Sequence, residues 1–195
     1  MNLLGLGLYE AARFEEAVAV RETEFSMQRR LNASEKSILV VQGNLAGTYH
    51  MLGRLEQASS MYRDAYAGMV RLYGEEHKKT LLEANNYASS LAALKRFEEA
   101  KSLLRRTMPV AQRVLGDSHD LTLKMRWCYG EALHKDSAAT LDDLRTAVTT
   151  LEETERTARR VFGREHPTTT EIEDALRDAR AALRARETPS PPGGA

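Results

Sequence analysis

Four residues, GEEH at 74–77, return as GDSH at 116–119 and as GREH at 163–166. The spacings are 42 and then 47 residues. A chain that repeats at this interval builds stacked units, none able to bury its own apolar face alone, rather than one globular core. A second block keeps the same beat: RFEEA at 13–17, RLEQA at 54–58, RFEEA at 96–100 and a weaker LRTA at 144–147. These marks divide the chain into units at about 1–31, 32–73, 74–115 and 116–162, a terminal helix at 167–186 and a short tail at 188–195.

Each unit reads as a pair of helices. From Leu81 the apolar or small residues Leu81, Ala84, Tyr87, Ala88 and Leu91 fall along one helical stripe. After Lys95 and Arg96 a second stripe runs through Phe97, Ala100, Leu103, Leu104, Met108, Ala111, Val114 and Leu115. Gly116 closes it, as Gly74 and Gly163 close theirs, because glycine accepts the backbone that ends a helix. Pro109 lies inside the second stripe, where its missing N–H predicts a kink. Small residues recur in register, Ala46 with Ala88 and Gly130, and Ala58 with Ala100 and Ala147, so two backbones approach closely at those points.

Composition fits an all-α chain, with Ala, Leu, Glu and Arg abundant and only 6% aromatic residues. The 28 basic and 28 acidic residues cancel. No global field therefore holds nucleic acid or an anionic membrane. One cysteine, Cys128, excludes an internal disulfide framework and a cysteine-rich metal site. No apolar run approaches the ~20 residues of a spanning helix, and the short, glycine-interrupted start lacks a basic leader. A cytoplasmic location is the expectation.

Taken together, NLAGTYHMLGRLEQA at 44–58, the stretch from Asn85 to His119 and GREHPTT at 163–169 resemble tetratricopeptide repeats of the longer kinesin light chain type. The resemblance spans residues 3 to 183. It implies an all-α, right-handed superhelix (α-solenoid) of antiparallel helix pairs, with first helices on a concave wall and second helices on a convex one. It also implies an adaptor or scaffold that binds a short linear peptide of a protein partner in the concave groove. The coiled coil that joins kinesin light chains to their motor has no counterpart here, and Cys128 replaces the asparagine of the pattern.

Helical spacing names the groove residues, those on the first helices opposite the packing stripe. The peptide-binding candidates are Asn44, His50, Asn85, Asn86, Ser89, Lys124, Trp127 and Glu131; Val40, Gly43, Gly47, Met51, Leu82, Ala93, Cys128 and Lys135 share their faces. An asparagine amide offers donors and an acceptor to any peptide backbone. The asparagines of the family grip cargo peptides at places that Asn44, Asn85 and Asn86 match. The alternative is that they brace neighbouring helices. Trp127 is either an exposed anchor or, if the helix rotates slightly, a buried one.

Other groups point away from chemistry. His77, His119 and His166 would make a zinc set, but equivalent positions in successive units stand too far apart for one ion, so they brace loops and no metal or cofactor is expected. Cys128 and His134 lack a locating motif, and the chain reads as no enzyme. Lys95, Arg96, Lys101, Arg105, Arg106 and Arg113 form either a site for an acidic partner or a solvated convex face. The extra residues at 134–144 lengthen one turn, with Thr140 and Asp143 placed to cap the helix that follows. TPSPPGGA at 188–195 predicts a flexible tail. An alternative to peptide capture is self-association into a homo-oligomer through Leu3, Leu4, Leu6 and Leu8 of the incomplete first unit.

Overall fold

The computed structural model describes residues 13–188. Among them are eight α-helices and no strand. They are α1 (Phe14–Arg30), α2 (Glu35–Met51), α3 (Leu55–Tyr73), α4 (Lys78–Ala93), α5 (Phe97–Leu115), α6 (Asp120–His134), α7 (Leu141–Phe162) and α8 (Pro167–Glu187). The chain forms two compact units that meet in sequence at Leu94 and Lys95, inside the turn between α4 and α5. The first holds α1–α4, the second α5–α8.

In the first unit each helix packs on the next, and α2 also meets α4. Its core joins Val18, Leu45, Ala46, Tyr49, Ala58 and Tyr62, with Phe25, Leu52, Met61 and Tyr87 packed round them. The register-matched alanines Ala46, Ala58, Ala88, Ala100 and Ala147 are all fully buried. In the second unit Gly130 takes the place of Ala46 and Ala88, and a Cβ there would stand 2.6 Å from Leu151 Cγ. The α6–α7 contact has thus closed past the point where alanine fits.

The GxxH marks are joints. Gly74, Gly116 and Gly163 have φ of 82°, 93° and 88° with ψ near 160–170°, an extended conformation at positive φ that only glycine holds without strain. Each N–H still reaches the carbonyl four residues back. Three residues on, the histidine caps the next helix. Nδ1 of His77, His119 and His166 accepts from the N–H of Lys79, Leu121 and Thr168 at 3.1, 3.1 and 3.2 Å. Tyr73 stacks on His77 and Phe162 on His166, with centroids 4.5 and 4.8 Å apart. The repetition reaches single hydrogen bonds: Thr80 Oγ1 donates to the Met69 carbonyl and Thr122 Oγ1, 42 residues on, to that of Ala111.

Helix α5 runs unbroken through Pro109, which lies on its exposed side. The lengthened turn after α6 is pinned from within the unit. Thr140 and Asp143 form the expected capping box on α7, Asp143 N–H to Thr140 Oγ1 at 3.1 Å and Thr140 N–H to Asp143 Oδ2 at 2.9 Å. Lys101 Nζ donates to Asp136 Oδ2 at 2.9 Å and also pairs with Glu98. With a relative exposure of 1%, Lys101 corrects the reading that placed it on a basic surface cluster. Its neighbours in that cluster are also engaged, Arg96 with Glu99 and Arg105 with the Tyr129 hydroxyl.

Candidate functional site

The expected groove residues divide between the two units. Asn44 and His50 on α2 and Asn85, Asn86 and Ser89 on α4 belong to the first; Lys124, Trp127 and Glu131 on α6 belong to the second.

In the first unit α4 buries Thr80, Ala84, Ala88 and Leu91, and half a turn round leaves Leu82 and Ser89 exposed with Asn86 half-buried between them. On α2 Asn44 and Met51 are exposed and Val40 is half-buried. Leu82 and Met51 keep 45% and 51% of their surface, so apolar surface stands beside amides on a wall that no helix of the unit covers. Asn44 also lines a cleft of about 180 Å³ between α1 and α2 with Glu24, Gln28, Lys36 and Val40. The Asn44 carbonyl is taken by Arg21 and by the Thr48 hydroxyl. Its side-chain amide makes no hydrogen bond among the described residues. Arg21, itself buried, ties α1 to α2 through that carbonyl and through Thr48 Oγ1 at 2.8 Å.

His50 is half-buried, its Nδ1 enclosed and without a partner among the described residues, and burial holds its imidazole below the ordinary range. Asn85 Oδ1 is likewise enclosed and unpartnered. Asn86 Nδ2 donates to Glu83 Oε2 at 3.5 Å. Gly43, expected on the open face, is buried instead: a Cβ there would lie 2.7 Å from Glu83 Oε1. Glu83 escaped the sequence reading. The signal was present, because stepping 42 residues either way gives Val41 and Met125, and a carboxylate in an apolar column is a misfit.

In the second unit Lys124 is drawn to Asp120 at 2.9 Å and Glu131 to Lys135, each one turn along α6. Trp127 is half-buried and its Nε1 is enclosed with no acceptor among the described residues. Cys128 does not face an open surface as expected. It is buried, and burial first, with Glu131 adding to it, pushes the thiol up to about 12. His134 is held below the ordinary histidine range chiefly by burial, and its Nδ1 lies 2.9 Å from the Gly130 carbonyl.

Residues 39–77 and 84–120 match the tetratricopeptide repeat family model. Over those two stretches the chain carries tetratricopeptide repeats. The fold extends the likeness beyond the matched stretches. Against the nearly identical TPR-like repeats of a kinesin light chain-like protein from Podosopora anserina, this repeat protein superposes with a TM-score of 0.70 at 20% identity, over 94% of this chain and 93% of that one. A single-substitution form of the same repeats gives 0.77 at 22% identity, over 94% and 85%. BtubC from P. vanneervenii gives 0.69 at 18% identity, over 98% and 82%. At these identities what the tetratricopeptide repeats share with their neighbours is the fold. No curated protein matches the sequence. No helix of the described residues is long and apolar enough to cross a membrane.

Proposed function

We propose that the chain is a non-catalytic interaction module that holds a short, extended segment of a partner protein against its first helices, on the open wall of α2 and α4. Tetratricopeptide repeats are built for this, since stacking leaves one face of each first helix without a neighbour. The observation that carries the reading is that wall itself, where Met51 and Leu82 stand exposed beside Asn44, Asn86 and Ser89. Apolar side chains of a guest cover the former while its backbone amides meet the latter. Asparagine reads backbone rather than side chains, so affinity on the order of micromolar, about −8 kcal/mol, is the scale expected. Cys128, the one thiol, is a poor nucleophile where it lies, since burial and a raised pKa keep it protonated.

The test is selection of random-sequence peptides on the chain, followed by titration of one selected peptide. Replacing Asn44 and Asn86 together by alanine weakens its capture about tenfold or more while circular dichroism holds and the melting temperature moves little, because Asn44 is exposed and Asn86 gives up a single long hydrogen bond. Unchanged affinity in the double variant sinks the reading.

A second reading, self-association, rests on α1. Ala19, Val20, Met27 and Leu31 line an apolar hollow of about 490 Å³, and Leu31 keeps 75% of its surface. The residues first suspected, Leu3, Leu4, Leu6 and Leu8, lie outside the described ones. Light scattering separates the readings: a dimer that dissociates when Met27 and Leu31 become glutamate supports self-association, and a monomer at high concentration excludes it.

A further inference from the structure

Two departures from the repeat meet in space. At Glu83 the register positions 42 residues away are Val41 and Met125, both buried and apolar. At Gly43 the register positions are Asn85 and Trp127, both with substantial side chains. In the first unit the Glu83 carboxylate occupies the room that the missing side chain at 43 leaves, its Oε1 2.7 Å from where a Cβ would be. The seam between α2 and α4 therefore holds a carboxylate where an apolar side chain is the solution used twice in the same chain.

That carboxylate is poorly provided for. Glu83 keeps only 7% of its surface, and among the described residues no lysine, arginine or histidine pairs with it. Its one hydrogen bond, from Asn86 Nδ2, is long at 3.5 Å. Burial pushes the carboxyl up to about 7 although the Asn86 amide pulls the other way. A buried acid without a counter-charge is costly to the fold, and packing does not require it here. Its one partner among the described residues is Asn86, an amide assigned to peptide backbone, and Gly43 is followed directly in sequence by Asn44, the other.

We propose that Glu83 makes the α2–α4 seam a subsite for a basic side chain, lysine or arginine, of the bound peptide. The inference rests on the groove reading and adds a specificity to it. A cation entering between Asn44 and Asn86 supplies the missing counter-charge, and the gain is realised only in the complex, which is how a buried charge discriminates between ligands. Glutamine at 83 keeps the shape and removes the charge; methionine reproduces the side chain found at 125.

The experiment is selection of random-sequence phage-displayed peptides on the whole chain and on its Glu83→Gln and Glu83→Met variants, with circular dichroism as the control for folding. Peptides from the unaltered chain are expected to carry Lys or Arg at one fixed position, and those from both variants to lose that bias while still binding. Titration of one selected peptide and its basic-to-glutamine version should show about a tenfold preference for the basic one, absent in Glu83→Gln. Selected peptides with no basic position, or the same bias in the variants, overturn the subsite and leave the groove standing. Failure of the unaltered chain to select any peptide above an unrelated control protein overturns both. Should Glu83→Met fail to fold, the near-isosteric Glu83→Gln decides alone.

Discussion

Glu83 has a consequence for stability that needs no ligand. Its carboxyl titrates near 7 in the folded chain and near 4.5 when unfolded. Between those values the folded state holds a proton that the unfolded state has lost, so acid favours folding. The contribution is complete below the unfolded value and disappears as pH rises through 7, up to about 3 kcal/mol in all. His50 and His134, held below their ordinary range, act in the opposite sense. Melting temperatures of the chain and of Glu83→Gln, taken side by side from about pH 5 to pH 8, isolate the carboxyl: the unaltered chain falls behind the variant as pH rises. A constant gap would mean that Glu83 does not titrate in this window. Lys95 is a second residue out of step. It sits at φ 60°, whereas Gly53, 42 residues earlier, does the same work at φ 73°. Lys95→Gly relieves left-handed strain and should stabilise the chain by about 1 kcal/mol in denaturant unfolding, less what the freer unfolded glycine takes back.

Among the helices, the lengthened turn between α6 and α7 is held by one buried ion pair. Burial works against the Lys101 ammonium, but hydrogen bonds to Glu98 and Asp136 hold it above its ordinary range, while the Lys101 hydrogen bond holds Asp136 below the usual carboxylate range. Asp136→Ala leaves a cation that has 1% of its surface in water with Glu98, a largely exposed partner, and a loss of about 2 kcal/mol is expected, read as a lower denaturant midpoint. Period and small-residue register made the helices and their close approaches legible, down to the Thr140–Asp143 box. What stayed hidden were pairings across the repeat. Lys101 reads as surface because a lysine on a helix usually is, and the partner that the inserted turn adds to Glu98, Asp136, was not visible from its own repeat. The proposed groove was legible as a face rather than as a site. Periodicity placed Asn44, Asn86 and Ser89 toward the open side, yet it could not show that Gly43 is filled by Glu83 or that Lys124 and Glu131 spend their charges on Asp120 and Lys135.

For the molecule as a whole, the division at Leu94 and Lys95 sets where damage is felt. Repeat proteins hold together through neighbours, so a lesion weakens the unit that contains it first. Hydrogen exchange on Asp136→Ala should rise in α5–α8 and stay near its original rate in α1–α4; a uniform rise would show one cooperative body. The histidine joints carry a different consequence. Because His77, His119 and His166 each start the helix that follows with their own ring nitrogen, the cap at every joint is made within a few residues of chain. Excision of 78–119 would bring His77 directly before Asp120, the residue His119 now precedes. The molecule is thus spliceable at its punctuation, able to gain or shed whole hairpins while the grammar of each remaining one is preserved.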